Sequence, residues 1–157
     1  MKRLLLSSVT ETRALGEALG RNAQPGDVLL LEGGLGAGKT ELVRGLARGL
    51  GCVGEVRSPT FNLVHIHETG RLPLYHLDLY RIDAPEELLE LGLDDVFSAG
   101  SVAAVEWSER LADFTPACAL RLHLRHADAA MSARQAEWVA SGERAGYWLA
   151  AALGEQL

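Results

Sequence analysis

Lysine is scarce in this sequence, and its scarcity excludes one class of protein. The 157 residues include 15 lysines and arginines, of which only Lys2 and Lys39 are lysines. The Asn-Lys-x-Asp motif with which GTPases read guanine needs a lysine after an asparagine, and neither lysine follows one. The chain is therefore not a GTPase of that kind. Because lysine is so rare here, composition does not explain its presence at position 39.

Cysteine, long apolar runs and positive charge are also scarce. Cys52 and Cys118 are too few for a disulfide framework, which favours reduced thiols in the cytosol. No apolar run approaches the ~18 residues that cross a membrane, and the basic, then apolar start at 1–6 is too short for a signal peptide. With 21 acidic residues and a net charge of -6, the chain is a poor candidate for binding nucleic acid directly. We therefore expect a cytoplasmic protein that does not hold nucleic acid through phosphate contacts alone.

Strand and helix patterns alternate along the chain, and no linker or repeat divides it. We therefore expect a single domain over residues 1–157. Residues 132–140 fit a helix and a strand equally well. Interleaved strands and helices predict an α/β fold with a largely parallel sheet and an antiparallel hairpin region. Strands are predicted at 2–6, 28–31, 62–68, 72–80, 102–106 and 118–126, and helices after the capping pattern at 8–11, over 42–50, from 85 and over 143–153.

A glycine-rich segment directly follows the predicted strand at 28–31. Its sequence, Gly-Gly-Leu-Gly-Ala-Gly-Lys-Thr, matches the P-loop pattern G-x-x-x-x-G-K-[ST]. In such a loop, successive backbone N–H groups and the N-terminus of the following helix point at nucleotide phosphates. Lys39 is predicted to reach the β- and γ-phosphates, and Thr40 to offer its hydroxyl to Mg²⁺. The predicted phosphate site consists of Gly33, Gly34, Leu35, Gly36, Ala37, Gly38, Lys39, Thr40 and Glu41.

Two carboxylates at predicted strand ends are candidates for completing this site. Asp78 lies near the end of one strand, and Glu106 ends the next. Ligands of an open α/β sheet bind at the carboxyl ends of its strands, where a carboxylate can hold the metal or orient water. Each acid alone is also compatible with a solvated strand end, but the P-loop favours the functional interpretation.

The sequence alone leaves the roles of several other side chains undecided. Thr60, in the segment Ser-Pro-Thr-Phe at 58–61, either senses a γ-phosphate or belongs to a plain turn. Trp107 either stacks on a base or lies in the core. His76 shares a strand face with Asp78 and is either a partner of the site or a packing residue. Two sets of alternating residues are predicted to be solvated strand faces rather than zinc ligands: His65 and His67, and Arg121, His123 and Arg125.

Taken together, these motifs resemble the bacterial TsaE (YjeE) family. The resemblance covers residues 8–111, about two thirds of the chain, with the motifs in the family's order and at near-fixed spacing. The segments that carry it are Glu11–Gly16, Gly36–Thr40, Ser58–Phe61, Tyr75–Arg81, Pro85–Leu88 and Val105–Trp107.

The resemblance implies a small cytosolic ATPase with a P-loop NTPase-like three-layer fold. Such proteins are required for the threonylcarbamoyl modification of adenosine 37 in tRNAs that read codons starting with A. They bind ATP and Mg²⁺ and act on a heterodimer of the transferase and its inactive paralogue, TsaD and TsaB, rather than on tRNA. The family's roles carry over by position: Lys39 and Thr40 hold phosphate and Mg²⁺, Thr60 is the switch-like residue, Asp78 the Walker B-type acid, Glu106 the acid at the metal, Trp107 a neighbour of the nucleotide, and Thr12 lines the base pocket.

The sequence departs from the family pattern at two places. Gly34 stands where many relatives carry aspartate, and residues 127–136 lack the glycine–arginine pattern expected there. Arg134 is consequently a minor candidate for a nucleotide contact. The alternatives to an ATPase are a small-metabolite P-loop kinase, for which no arginine-bearing lid is evident, and an adaptor that binds ATP without hydrolysing it.

Overall fold

The computed structural model describes residues 2–59, 63–127 and 130–154. The described strands are β1 (Lys2–Leu6), β2 (Val28–Glu32), β3 (Val64–His67), β4 (Leu74–Asp78), β5 (Val102–Glu106), β6 (Ala119–Ala127) and β7 (Ala130–Ser141). The described helices are α1 (Val9–Asn22), α2 (Lys39–Gly49), α3 (Leu93–Val96) and α4 (Glu143–Ala152), together with two 3₁₀ helices, Pro85–Glu90 and Ser108–Phe114.

The strands form a single sheet in the order β1-β7-β6-β2-β5-β4-β3. Its four central strands, β6, β2, β5 and β4, run parallel. β2 and β5 lie at the centre because their runs Val-Leu-Leu-Leu and Val-Ala-Ala-Val are apolar on both faces. β3 pairs antiparallel with β4, which confirms the predicted hairpin. The carboxyl ends of β2, β4 and β5 therefore meet at one edge of the sheet.

The end of the sheet farthest from the β3–β4 hairpin is an antiparallel region. The sequence did not decide whether part of it forms a strand or a helix. Residues 132–140 lie in β7, which pairs antiparallel with both β6 and β1. Along β7, Ala136 and Trp138 are buried, whereas Glu137 forms ion pairs with Arg3 and Arg125 on the other face. The alternation follows the period of a strand, but small and polar residues made it too weak to exclude a helix.

The sheet is the middle one of three layers, as expected for a P-loop fold. Helices α1, α2 and α4 pack on one face, whereas α3 and the two 3₁₀ helices cover part of the other. The uncovered part of that second face presents His123 and Arg125 to solvent, as predicted, whereas Arg121 is half-buried and forms an ion pair with Glu32. Within the three described ranges, no helix is both long and apolar enough to cross a bilayer.

Glycines bring the backbones of α1 and α2 into direct contact. A Cβ atom on Gly16 would lie 2.2 Å from the carbonyl oxygen of Leu42, and one on Gly45 would lie 2.2 Å from that of Arg13. Such approaches are closed to any larger residue, so the two helices pack at a distance that only glycine permits. Because α2 begins in the P-loop, this contact fixes α1 relative to the predicted phosphate site.

Candidate nucleotide-binding site

The glycine-rich loop connects the end of β2 to the start of α2 with left-handed backbone at several glycines. Gly36 has φ +73° and Gly38 has φ +105°, values that favour glycine. A Cβ atom on Gly33, at φ +142°, would lie 2.3 Å from the carbonyl oxygen of Leu124. Gly38 is enclosed differently, since a Cβ there would lie 3.7 Å from Cγ2 of Thr12. The loop is thus held between β6 and helix α1, and its left-handed glycines give it the backbone shape of an anion-binding nest.

Lys39 lies inside this loop rather than in solvent. Its residue is buried, and its Nζ donates hydrogen bonds to the carbonyl oxygens of Gly33 and Gly34 at 2.6 and 2.7 Å. The ammonium also lies 4.5 Å from the ring centroid of Trp107. Burial lowers the pKa of Lys39 below its ordinary value, and the nearby negative charges of Glu106 and Asp78 oppose that shift. The Lys39 ammonium is therefore enclosed by the loop and lies close to both candidate carboxylates.

Thr40, the next residue, contacts Glu106 at the end of β5. The Thr40 hydroxyl lies 2.9 Å from Oε1 and 3.1 Å from Oε2 of the Glu106 carboxylate. Only 3% of Glu106 is exposed. A hydroxyl and a carboxylate are the hard oxygen ligands that Mg²⁺ prefers, so this pair fits a magnesium ion beside the phosphate loop.

Glu106 has a second partner that the sequence left undecided. His76, on the neighbouring strand β4, is fully buried, and its Nε2 lies 2.6 Å from Glu106 Oε2. On β3, whose histidine face was expected to be solvated, His65 and His67 are both half-buried, whereas Ile66 between them is 50% exposed. Burial lowers the pKa of His67, with the proximity of His76 and His65 acting in the same direction. The prediction of a solvated His65–His67 face is therefore wrong in part, because both imidazoles are half-buried and His65 stands opposite His76 in the β3–β4 pairing.

Asp78 ends β4 in register with Glu106 on β5, as the strand-end argument predicted. Its Oδ2 accepts a hydrogen bond from the Ser58 hydroxyl, and its Oδ1 accepts one from the backbone N–H of Tyr80 at 3.0 Å. Ser58 was singled out only as part of the segment 58–61, and its bond to an acid 20 positions away left no signal in the spacing. Thr60 lies outside the described residues.

These groups surround a cavity of about 490 Å³. Arg134 of β7 is a lining residue for which the sequence offered only weak support. Its guanidinium donates to the carbonyl oxygens of Ala37 at 2.9 Å and Gly36 at 3.0 Å, so it supports the outer side of the loop. The predicted site residues that line the cavity are Thr12, Leu35, Gly36, Ala37, Gly38, Lys39, Thr40, Glu41, Asp78, Glu106 and Trp107, and they are joined there by Val9, Ser58 and Arg134.

Two predicted contacts have geometries that narrow their possible roles. The Glu41 carboxylate forms ion pairs with Arg13 and Arg44, so only its backbone is available to a phosphate. Trp107 has a left-handed backbone, φ +57°, and its ring lies 5.0 Å from that of Tyr80. Because Lys39 contacts the same ring, Trp107 lies at the phosphate end of the cavity rather than wholly in the core.

Comparisons with known proteins agree over most of the chain. The family model described as threonylcarbamoyl adenosine biosynthesis protein TsaE matches residues 6–136. The tRNA threonylcarbamoyladenosine biosynthesis protein TsaE of Nostoc sp. is 42% identical over 142 residues, covering 87% of this chain and 85% of that protein. The protein of the same name from Bacillus subtilis is 42% identical over 129 residues, covering 81% and 80%. The crystal structure of Bacillus subtilis YdiB has a TM-score of 0.84 at 33% identity, covering 98% of this chain and 94% of that one.

Proposed function

The chain belongs to the TsaE family of tRNA threonylcarbamoyladenosine biosynthesis proteins, and from this premise we propose that it binds ATP with Mg²⁺ and hydrolyses it. The observation that carries the proposal is the contact between Thr40 and Glu106 in the cavity lined by the P-loop, close to the Lys39 ammonium. A P-loop with a hydroxyl and a strand-end carboxylate at its mouth suits a nucleoside triphosphate and its metal. The family names do not favour the small-metabolite kinase.

Binding rests on the loop and the residues around it. The backbone N–H groups of residues 33–40 and the start of α2 receive the phosphates. Lys39 exchanges its two carbonyl acceptors for β- and γ-phosphate oxygens, which are charged and therefore stronger acceptors. Val9 and Thr12 of α1 line the cavity, and we propose that they contact the base or ribose.

Hydrolysis is assigned to the two strand-end acids and the loop before β3. Thr40 and Glu106 hold Mg²⁺, which, when bound, offsets negative charge on the β- and γ-phosphates. Asp78 orients the attacking water, while Ser58 and the Tyr80 N–H fix its carboxylate. Thr60, two residues after Ser58, is the proposed sensor of the γ-phosphate. We propose that residues 1–157 act as one P-loop ATPase domain.

The chain alone is proposed to be a weak ATPase. Arg134 lines the cavity, but its guanidinium is engaged by loop carbonyl oxygens and is not free to stabilise a leaving phosphate. An arginine supplied by another protein can raise the rate of phosphoryl transfer by ~10³–10⁵. We therefore propose that the TsaD–TsaB heterodimer completes the site. We also propose that the protein works in the cytoplasm, where that heterodimer acts on tRNA. This acidic chain then contacts tRNA only through the heterodimer.

Phosphate release measured on the protein alone and with the TsaD–TsaB pair tests this proposal. We expect slow phosphate release by the protein alone and at least tenfold faster release in the mixture, because an arginine supplied by the pair would speed phosphoryl transfer. ATP binding without phosphate release in either sample would establish the adaptor instead. Equal release in both samples would contradict partner dependence.

A further inference from the structure

We propose that His76 is a positioning residue that fixes the Glu106 carboxylate for the metal, an inference that rests on the proposed function. It assigns a role to a buried imidazole that neither the P-loop pattern nor the family name explains. His76 does not line the cavity, so it acts through Glu106 and not on the nucleotide.

The Glu106 carboxylate is contacted from two elements of the fold. Thr40 contacts the carboxylate from the P-loop, and His76 Nε2 contacts Oε2 from β4 at 2.6 Å. Both His76 and Glu106 are buried, so water does not compete for this bond. An imidazole that binds a carboxylate fixes its orientation, so the remaining oxygen lone pairs stay directed at the Thr40 hydroxyl and at the proposed Mg²⁺.

The proposal also specifies which imidazole nitrogen carries the proton. A carboxylate that binds Mg²⁺ only accepts hydrogen bonds, so the proposal requires His76 Nε2 to be the donor. His76 Nδ1 is buried and has no hydrogen-bond partner among the described residues. A histidine that only filled space in the core would bury two polar nitrogens without hydrogen bonds. Leucine or phenylalanine would avoid that desolvation cost. The bond to Glu106 is what offsets that cost.

The sheet gives this contact its rigidity. In the parallel pairing of β4 with β5, His76 stands in register with Ala104, and Asp78 with Glu106. The imidazole therefore reaches two positions forward, along the strand direction, to the acid on the neighbouring strand. One strand, β4, thereby supplies Asp78 to the cavity directly and restrains Glu106 through His76.

Three substitutions at this position separate the hydrogen bond from burial and size. His76→Gln puts an amide N–H near the place of Nε2, whereas the shorter His76→Asn puts it near Nδ1, where there is no described acceptor. His76→Leu removes the donor. Calorimetry of ATP binding with Mg²⁺ and with EDTA gives the affinity gain due to the metal, because partners of metal ligands typically change metal affinity by ~10–100-fold.

We expect His76→Leu and His76→Asn to reduce the Mg²⁺-dependent gain by about tenfold while leaving affinity in EDTA unchanged, and His76→Gln to keep most of it. Leu77→Val is the control, since Leu77 is fully buried next to His76 but packs in the core of the opposite face; it should lower the melting temperature and leave the gain intact. An unchanged gain in folded His76→Leu and His76→Asn would overturn the inference. Wild-type protein that fails to bind ATP would instead overturn the proposed function.

A measurement on the unaltered protein keeps the inference testable if the variants do not fold. Nitrogen NMR of the His76 imidazole should show a slowly exchanging proton on Nε2. A proton on Nδ1 with Nε2 bare would contradict the inference, because Nε2 would then have nothing to donate to Glu106.

Discussion

The two acids at the strand ends are held in different ways. Glu106 is 3% exposed and is restrained by a strand neighbour, His76, and by Thr40 at the start of α2. Asp78 is partly exposed, and its side-chain partner is Ser58, on the loop that leads to residues 60–62. The proposed metal ligand is therefore held by the sheet and the P-loop, whereas the acid proposed to orient water depends on a loop.

This difference suggests a division of labour between binding and turnover. Groups fixed by the sheet are ready for the nucleotide before it arrives, which favours affinity. A catalytic acid whose orientation depends on a loop is sensitive to whatever orders that loop, including a γ-phosphate or a partner protein. Substitutions on the two sides should consequently affect different measurements.

The largest change is expected for Asp78→Ala in phosphate release. Loss of the group that orients water should slow release by about 100-fold or more, the usual contribution of such a group. Nucleotide affinity should fall far less, because Asp78 is not proposed to hold the metal. Release assays with the TsaD–TsaB pair, combined with calorimetry, check this, and release at the wild-type rate would remove Asp78 from the mechanism.

Glu106→Ala should mainly change the Mg²⁺-dependent affinity for ATP. With one of the two proposed Mg²⁺ ligands gone, the gain in ATP affinity due to Mg²⁺ should fall by at least about tenfold, as for other groups that tune a metal site. Affinity in EDTA should change little. The comparison between the acids fails if Glu106→Ala and Asp78→Ala alter Mg²⁺-dependent affinity to the same extent.

The rigidity of the P-loop side can be tested through the α1–α2 contact. Gly45→Ala places a methyl group 2.2 Å from the Arg13 carbonyl oxygen and should lower the free energy of unfolding by about 1–3 kcal/mol. Gly146→Ala in α4 is the matched control, since a Cβ there would meet no atom from another described part of the chain within 4 Å, and it should stabilise by about 0.5–1 kcal/mol. Thermal or urea unfolding measures both, and equal effects would mean that the glycine contact does not matter.

The smallest functional effect is expected at Ser58. Ser58→Ala removes the hydroxyl bond to Asp78 and should slow phosphate release by about tenfold, the equivalent of one hydrogen bond to a charged group. Affinity for ATP should stay at the wild-type value. Ser98→Ala, which removes a hydroxyl bonded to Ser101, serves as the control and should change neither quantity. A loss of affinity in Ser58→Ala would show that the loop contributes to binding.

The residues whose placement the sequence predicted are those set by local sequence or by strand ends. Glycines, Lys39 and Thr40 adjoin one another in the chain, and the strand-end rule brought Asp78 and Glu106 to the same edge. Ser58, Arg134 and the role of His76 depend on which strands are neighbours and on how far a side chain reaches. For Arg134 the obstacle was specific, since β7 itself was ambiguous and its pairing with β6 placed the arginine near the loop.

The central claim, that ATP and Mg²⁺ bind in this cavity through the P-loop, is tested most directly by calorimetry on wild type and Lys39→Ala. The account predicts Mg²⁺-dependent ATP binding by the wild type and about 100-fold weaker binding by Lys39→Ala, because two hydrogen bonds from a charged group are lost. Lys39→Arg should not restore it, since the broad guanidinium does not fit a loop closed around an ammonium. Unchanged ATP affinity in a folded Lys39→Ala would contradict the account.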